Sequence, residues 1–177
     1  MEGRILPSLK RWTLPVLVGA TTVLAGRKLF YEHCFSIETS YGPSMYPTIP
    51  FSKSWLIVSK FHRHGKNVQV GDIVVARNPR VLHQQVAKRV LGMPGDYVLK
   101  ETPSGDYKEK DAEMIRVPEG HVWIVGDNLP WSRDSREYYG PVPMGLICGK
   151  VVAQSPGRIW QLYPVRNTLQ PLQVAPE

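Results

Sequence analysis

Apolar positions follow two different patterns along this chain. From residue 12 to residue 26 they run almost unbroken, with Arg4, Lys10 and Arg11 before the run and Arg27 and Lys28 after it. Leu29, Phe30, Tyr31, Cys34 and Phe35 continue it less purely. Such a run is shorter than the about 20 residues that an α-helix needs to cross a hydrocarbon core. Snorkelling of the flanking Lys and Arg side chains, or inclusion of residues up to Phe35, closes the gap. The expectation is an uncleaved membrane anchor over residues 1–35, with its apolar core at 12–26. A cleaved secretory signal would share the length and charge, but no small-x-small cleavage site precedes the next segment. A mitochondrial presequence would be richer in Arg and more amphipathic. A buried core helix is disfavoured by Pro15, Gly19 and the lack of a polar face. Positive charge on both flanks leaves the orientation unread.

After residue 36 the pattern becomes short and β-like. Residues 54–59, 72–77, 84–91, 97–100, 121–126 and 146–153 are rich in Val, Ile and Trp. Turn signals separate them: Asn78-Pro79, Pro94-Gly95, Pro103-Ser104-Gly105, Pro118-Glu119-Gly120 and Gly140-Pro141. No long helical period and no internal repeat interrupt the series. The reading is a mostly-β domain over 36–160, followed by a tail, 161–177, with no assigned structure.

Composition narrows the partners. Hydrophobic residues make up 42% and charged residues 21%, which is a folding composition rather than a disordered one. The net charge of +7 suits either nucleic acid or anionic lipid. Helix-turn-helix, zinc-finger and RNA-binding aromatic signatures are all missing, so nucleic acid is set aside and membrane lipid kept. Two cysteines, Cys34 and Cys148, are too few for a disulfide-dense scaffold or a four-Cys zinc site. Cys148 reads as a packed core thiol in an apolar stretch.

Three segments carry chemistry. The first is Gly42-Pro43-Ser44-Met45-Tyr46-Pro47-Thr48, directly after the apolar run. A serine nucleophile needs a base. None of His33, His62, His64, His83 and His121 carries a local triad signature, although a triad assembles in space. The second segment runs from Val86 through Lys88 and Arg89 to Asp96. Strand alternation puts Lys88 on one face with Val86 and Val90. Burial there disfavours the ammonium and lowers the lysine pKa, giving the neutral amine that a general base requires. On periodicity alone, a lysine snorkelling at a strand edge is the simpler reading. The third segment, Gly126-Asp127-Asn128-Leu129-Pro130-Trp131-Ser132-Arg133-Asp134-Ser135-Arg136, offers a hydroxyl at Ser132 and a candidate ion pair between Asp134 and Arg136. Its composition also suits an ordinary turn.

Taken in order, Gly-x-Ser-Met-x-Pro-Thr, Gly-Asp-Ile-Val-Val, Lys-Arg-Val-x-Gly-x-Pro-Gly-Asp and Gly-Asp-Asn-x-x-x-Ser-x-Asp-Ser-Arg resemble the type I signal peptidase family over residues 40–153. The small size, the single N-terminal apolar run and Pro-Glu-Gly-His-Val-Trp before the last motif resemble its mitochondrial inner-membrane branch most. The resemblance implies a signal-peptidase-type β-rich catalytic domain behind one N-terminal transmembrane helix. It implies a serine endopeptidase with Ser44 as nucleophile and Lys88 as general base. Ser132 would orient the lysine, Asp134 and Arg136 would brace the site, and Met45 and Pro47 would shape the substrate-binding segment. Arg133 would point away, and Arg89 reads as a surface or bracing cation at least as readily as a catalytic one. No cofactor and no metal are needed.

Further expectations follow from the same resemblance. Substrates would be precursor proteins with cleavable sorting peptides, bound as extended strands. The partner would be a second catalytic subunit in one complex of the mitochondrial inner membrane, crossed once, with the catalytic domain facing the intermembrane space. One departure stands out: Gly42 occupies a position where some bacterial members have a serine that assists the oxyanion. The Ser44 backbone N–H is then the first oxyanion donor to consider, since Pro43 has none. The alternatives are a bacterial-type signal peptidase, a self-cleaving repressor or a non-catalytic membrane subunit of a protease complex. The repressor is disfavoured by the apolar run and the missing DNA-binding module. The non-catalytic subunit is disfavoured by the intact Ser44, Lys88 and Ser132.

Overall fold

The computed structural model describes residues 8–100, 113–167 and 169, with side chains from residue 13 onward. The predicted Pro103-Ser104-Gly105 turn, the part of the expected anchor before Ser8, and most of the tail from residue 168 lie outside the described residues.

The apolar run forms part of one helix, α1, Ser8–His33. Val16, Leu17 and Val18 are each more than half exposed. Successive helical residues point about 100° apart, so these three cover much of the circumference. The helix therefore has no core-facing stripe of the kind a surface helix shows. Among the described residues, no helix is long and apolar enough to cross a membrane. Thr13, Pro15, Thr21 and Thr22 dilute the run, and Arg27 and Lys28 end it.

The chain turns out of α1 directly into a strand, β1 (Phe35–Ser40), which pairs antiparallel with β2 (Ser54–Ser59). The apolar pattern counts Phe35 with the helix and predicts no strand here. Next come β3 (Ile73–Arg77), β4 (Gln85–Gly92), the small hairpin strands β5 (Tyr97–Leu99) and β6 (Met114–Arg116), β7 (His121–Val125), β8 (Val142–Pro143), β9 (Ile147–Pro156) and β10 (Tyr163–Pro164). The main sheet runs β1-β2-β9-β3-β4-β7-β8, with β10 added to β9, and β5 pairs with β6 separately. The mostly-β expectation holds.

The sheet is covered on both faces. Along β3, Val74 and Ala76 join one core with Val90, Val122, Ile124 and Ile147. Ile73 and Val75 join the other with Met45, Ile49, Leu56, Val58 and Val151. That explains why β3 reads as a continuous apolar run rather than an alternating one. Burying each such side chain contributes about 1.5–3 kcal/mol. Register breaks between Ile57 and Val58, Val75 and Ala76, and Val90 and Gly92 mark bulges. Bulges bend and twist strands, so the sheet curls. Two backbone edges remain open toward one cleft. β1 is the terminal strand, and β4 pairs with β7 only from Arg89 onward, leaving residues 85–88 unpaired on that side.

Candidate active site

Ser44 sits in a 3-10 turn, Pro43–Met45. Gly42 enters it at φ 111°, a backbone region that favours glycine, which accounts for glycine at this position. Met45 plugs the turn into the core at 2% exposure. The loop after β7 holds the turn from the other side. The Asn128 backbone N–H donates to the Ser44 carbonyl at 3.0 Å, and its Nδ2 donates to the Pro43 carbonyl at 3.0 Å.

Lys88 lies in β4 at 3% exposure, opposite Val74 in β3. It lines a cleft of about 800 Å³ together with Ser44. The cleft walls come from residues 38–41 on one side, residues 83–87 on another, and Trp131 and Arg133. The Lys88 Nζ donates to the Ser132 Oγ at 2.8 Å. Burial lowers the Lys88 pKa to about 8, partly offset by the Asp134 and Asp127 carboxylates and reinforced by Arg136. The burial expected from Val86 and Val90 is thus present, and it shifts the lysine in the direction of a neutral amine.

The Ser132 hydroxyl also helps to hold the Asp134 pKa down. Asp134 is fully buried. Its Oδ1 accepts from Arg136 Nε at 3.0 Å, and its Oδ2 accepts from Arg136 Nη2 and the Gly126 N–H, each at 3.0 Å. Burial alone would raise this carboxyl, yet its pKa is lowered because these donors outweigh desolvation. The predicted Asp134–Arg136 pair is thus present. Ser135 adds a second staple by accepting from the Ile124 N–H at 3.0 Å. That N–H needs a partner because β8 covers β7 only at His121 and Val122.

Several residues of the surroundings find partners far away in the sequence. Arg89 is 7% exposed and makes a two-pronged ion pair with Asp127, at 2.8 and 2.7 Å. It is a brace and not a surface cation. Its Nη1 also donates to the Gly71 carbonyl at 2.7 Å. Thr48 donates its hydroxyl to Asp127. Gln154, on β9, donates to the Thr48 carbonyl at 2.6 Å. A Cβ at Gly126 would collide with the Ser132 hydroxyl and the Ser44 carbonyl, so only glycine lets these two segments meet. Gly126, Asp127 and Asn128 belong to the last of the four sequence motifs. Gln154 carries no signal, since its partner lies 106 positions away.

Three expectations need correction. Met45 is buried in the core and does not line the cleft; it shapes the site from beneath, without a surface to offer a substrate. Pro47 is exposed, and it too lies outside the cleft lining. Arg133 does not point away: it lines the cleft and stacks over Tyr138, 5.7 Å from the ring centroid. Cys34 and Cys148 are both free thiols. Among the described residues, no His/Cys/Asp/Glu group could hold a metal ion.

Comparison with known proteins follows the same lines. The family described as "Signal peptidase, peptidase S26" matches residues 9–103 and 98–155. The mitochondrial inner membrane protease subunit 1 of Schizosaccharomyces pombe is 42% identical over 131 residues, covering 73% of this chain and 76% of that protein. Subunit 2 from the same organism is 34% identical over 139 residues, covering 77% and 73%. A signal peptidase I of known structure from Enterococcus faecalis is 28% identical with a TM-score of 0.40, over 48% of this chain and 97% of its own. The chain belongs to the signal peptidase family, peptidase S26, and is a serine-type signal peptidase.

Proposed function

We propose that Ser44 and Lys88 form the catalytic dyad of this protease. The observation that carries this reading is a buried lysine, held at a pKa of about 8, that lines one cleft with a serine on a sharp turn. Neutral Lys88 takes the Ser44 proton as Ser44 Oγ attacks the scissile carbonyl. The ammonium then protonates the leaving amine, and an acyl ester remains on Ser44. Lys88, neutral again, deprotonates a water that hydrolyses the ester and frees Ser44. Ser132 accepts one Lys88 N–H, which leaves the amine lone pair for Ser44. The Ser44 backbone N–H serves as an oxyanion donor.

The substrate lies as an extended strand between the open edge of β1 and the unpaired half of β4. Backbone bonds give it affinity, and alternate side chains give it selectivity. The substrates are precursor proteins with cleavable sorting peptides bound for the intermembrane space. The site is a mitochondrial inner-membrane complex with a second catalytic subunit. Support comes from relatives named as inner membrane protease subunits 1 and 2.

Helix α1 is the single anchor, with the catalytic domain on the intermembrane-space side. Apolar side chains on several sides of the helix support this reading. So do Thr21 and Thr22, whose hydroxyls bond back to the Val18 carbonyl at 2.9 and 2.8 Å. The test is precursor accumulation in cells carrying Ser44→Ala or Lys88→Ala in a folded protein. Normal processing by Lys88→Ala would sink the dyad.

A further inference from the structure

We propose that the segment 60–66, Lys-Phe-His-Arg-His-Gly-Lys, is a docking surface for anionic phospholipid headgroups beside the foot of α1. The proposal rests on the reading of α1 as the anchor. This segment forms a 3-10 stretch, Lys60–Gly65, directly after β2. It is bound to the end of the helix. The Lys60 N–H donates to the Cys34 carbonyl at 2.8 Å, and Lys60 Nζ donates to the Tyr31 carbonyl at 2.6 Å. A cation there also suits the negative end of the helix dipole. Phe61 packs edge-on against Phe35 at 5.9 Å between centroids, and Phe35 against Phe30 at 6.0 Å. Position relative to the helix is therefore set by direct contacts.

The exposed groups on this surface fit a membrane interface. Phe61, Phe30 and Tyr31 are 57%, 51% and 42% exposed, although ring contacts through Phe35 link them. Aromatic side chains collect at the headgroup level of bilayers. Arg63 and Lys66 are exposed, and neither makes an ion pair among the described residues. Arg27 and Lys28 add two more exposed cations one to two turns back along α1. The segment itself holds no acidic residue, and on the last turns of α1 the single carboxylate is Glu32, 3.9 Å from Lys28. Cations ringed around exposed aromatics, at the point where an anchor helix leaves the bilayer, match anionic headgroups in charge and in polarity. Docking there would fix the height of the catalytic cleft above the bilayer.

The test uses the full chain reconstituted in bilayers of phosphatidylcholine, alone or with increasing phosphatidylglycerol. A Phe61→Trp variant reports depth through quenching by brominated lipid, read as the excess over the parent protein. The excess is expected to rise with phosphatidylglycerol and to fall with salt. Arg63→Gln with Lys66→Gln should weaken that docking roughly thirty-fold, from about 1 kcal/mol per cation near an anionic surface. Equal quenching in neutral and anionic bilayers would overturn the proposal, and so would an unchanged titration in the double variant. If the double variant instead lowered capture of a partner protein with lipid docking unaltered, the surface would be a protein interface and the proposal wrong. Alkaline carbonate extraction separates the two readings: loss of the parent from the bilayer defeats the anchor, whereas retention without lipid-dependent quenching defeats only the docking.

Discussion

Lys88 and Arg89 are neighbours on one strand, both buried, both cations by composition, and the structure treats them in opposite ways. Arg89 meets a carboxylate of its own, Asp127, in a two-pronged pair. Lys88 meets a hydroxyl, and the carboxylate behind that hydroxyl is already committed to Arg136. Each acid near Lys88 is thus neutralised by a guanidinium, and desolvation is left to dominate. A guanidinium cannot give up its proton in a protein, so it can only brace. A buried ammonium without a counter-ion of its own gives up its proton more readily. On the dyad proposed above, the difference between a brace and a base lies in who owns the nearest carboxylate.

The sharpest way to break this contrast is to exchange the roles. Lys88→Arg keeps the charge and loses the titration, so turnover of a precursor peptide should fall roughly 10³–10⁴-fold, as for Lys88→Ala. Residual turnover near the parent rate would show that no base resides at this position. At the neighbouring site the loss should appear in stability. Arg89→Met leaves Asp127 without its partner and should cost about 3–5 kcal/mol by chemical denaturation. Lys88→Met should do the reverse. The folded pKa of about 8 lies below the ordinary 10.5, so between those values the unfolded chain holds a proton that the folded chain lacks. Parent stability therefore rises with pH through that window and is lowest below pH 8. Lys88→Met should gain about 3 kcal/mol at pH 7 and lose that advantage by pH 10.5. Denaturation curves at the two pH values check the sign directly.

Smaller effects sharpen the same picture. Activity should rise through an acid limb near pH 8, where Lys88 loses its proton. Ser132→Ala should reduce turnover by roughly 10²-fold through misaiming of the amine, with Ser132→Thr retaining part of the rate. Arg136→Gln should move the limb upward, since it removes a cation that lowers that pKa and frees a carboxylate that raises it. A limb unmoved in Arg136→Gln would assign the shift to burial alone.

Strands dense in β-branched residues are legible in the sequence. β2, β3, β4, β7 and β9 fall where the Val and Ile runs predict, to within three residues. β1 is not legible, because Phe35 prolongs the apolar pattern of the helix and only pairing with β2 distinguishes it. The two-residue strands β8 and β10 are too short to carry a period. At the site, burial of Lys88 can be argued from Val86 and Val90, but its significance comes from resemblance. What sequence cannot supply is ownership: Arg89 finds Asp127 across 38 positions, and Lys88 finds Ser132 across 44. Such distances along the chain are closed by sheet topology, which no local pattern encodes.

Gly126 gives the site a mechanical tolerance. Nothing larger than a hydrogen fits between the Ser44 carbonyl and the Ser132 hydroxyl, so the Ser44 turn and the Ser132 loop are clamped at one spacing. A methyl at this position would act as a shim, widening the gap while leaving every reacting group in the molecule. Gly126→Ala is therefore a route to a protease that keeps its serine and lysine yet is held out of gear, suited to trapping an uncleaved precursor in place.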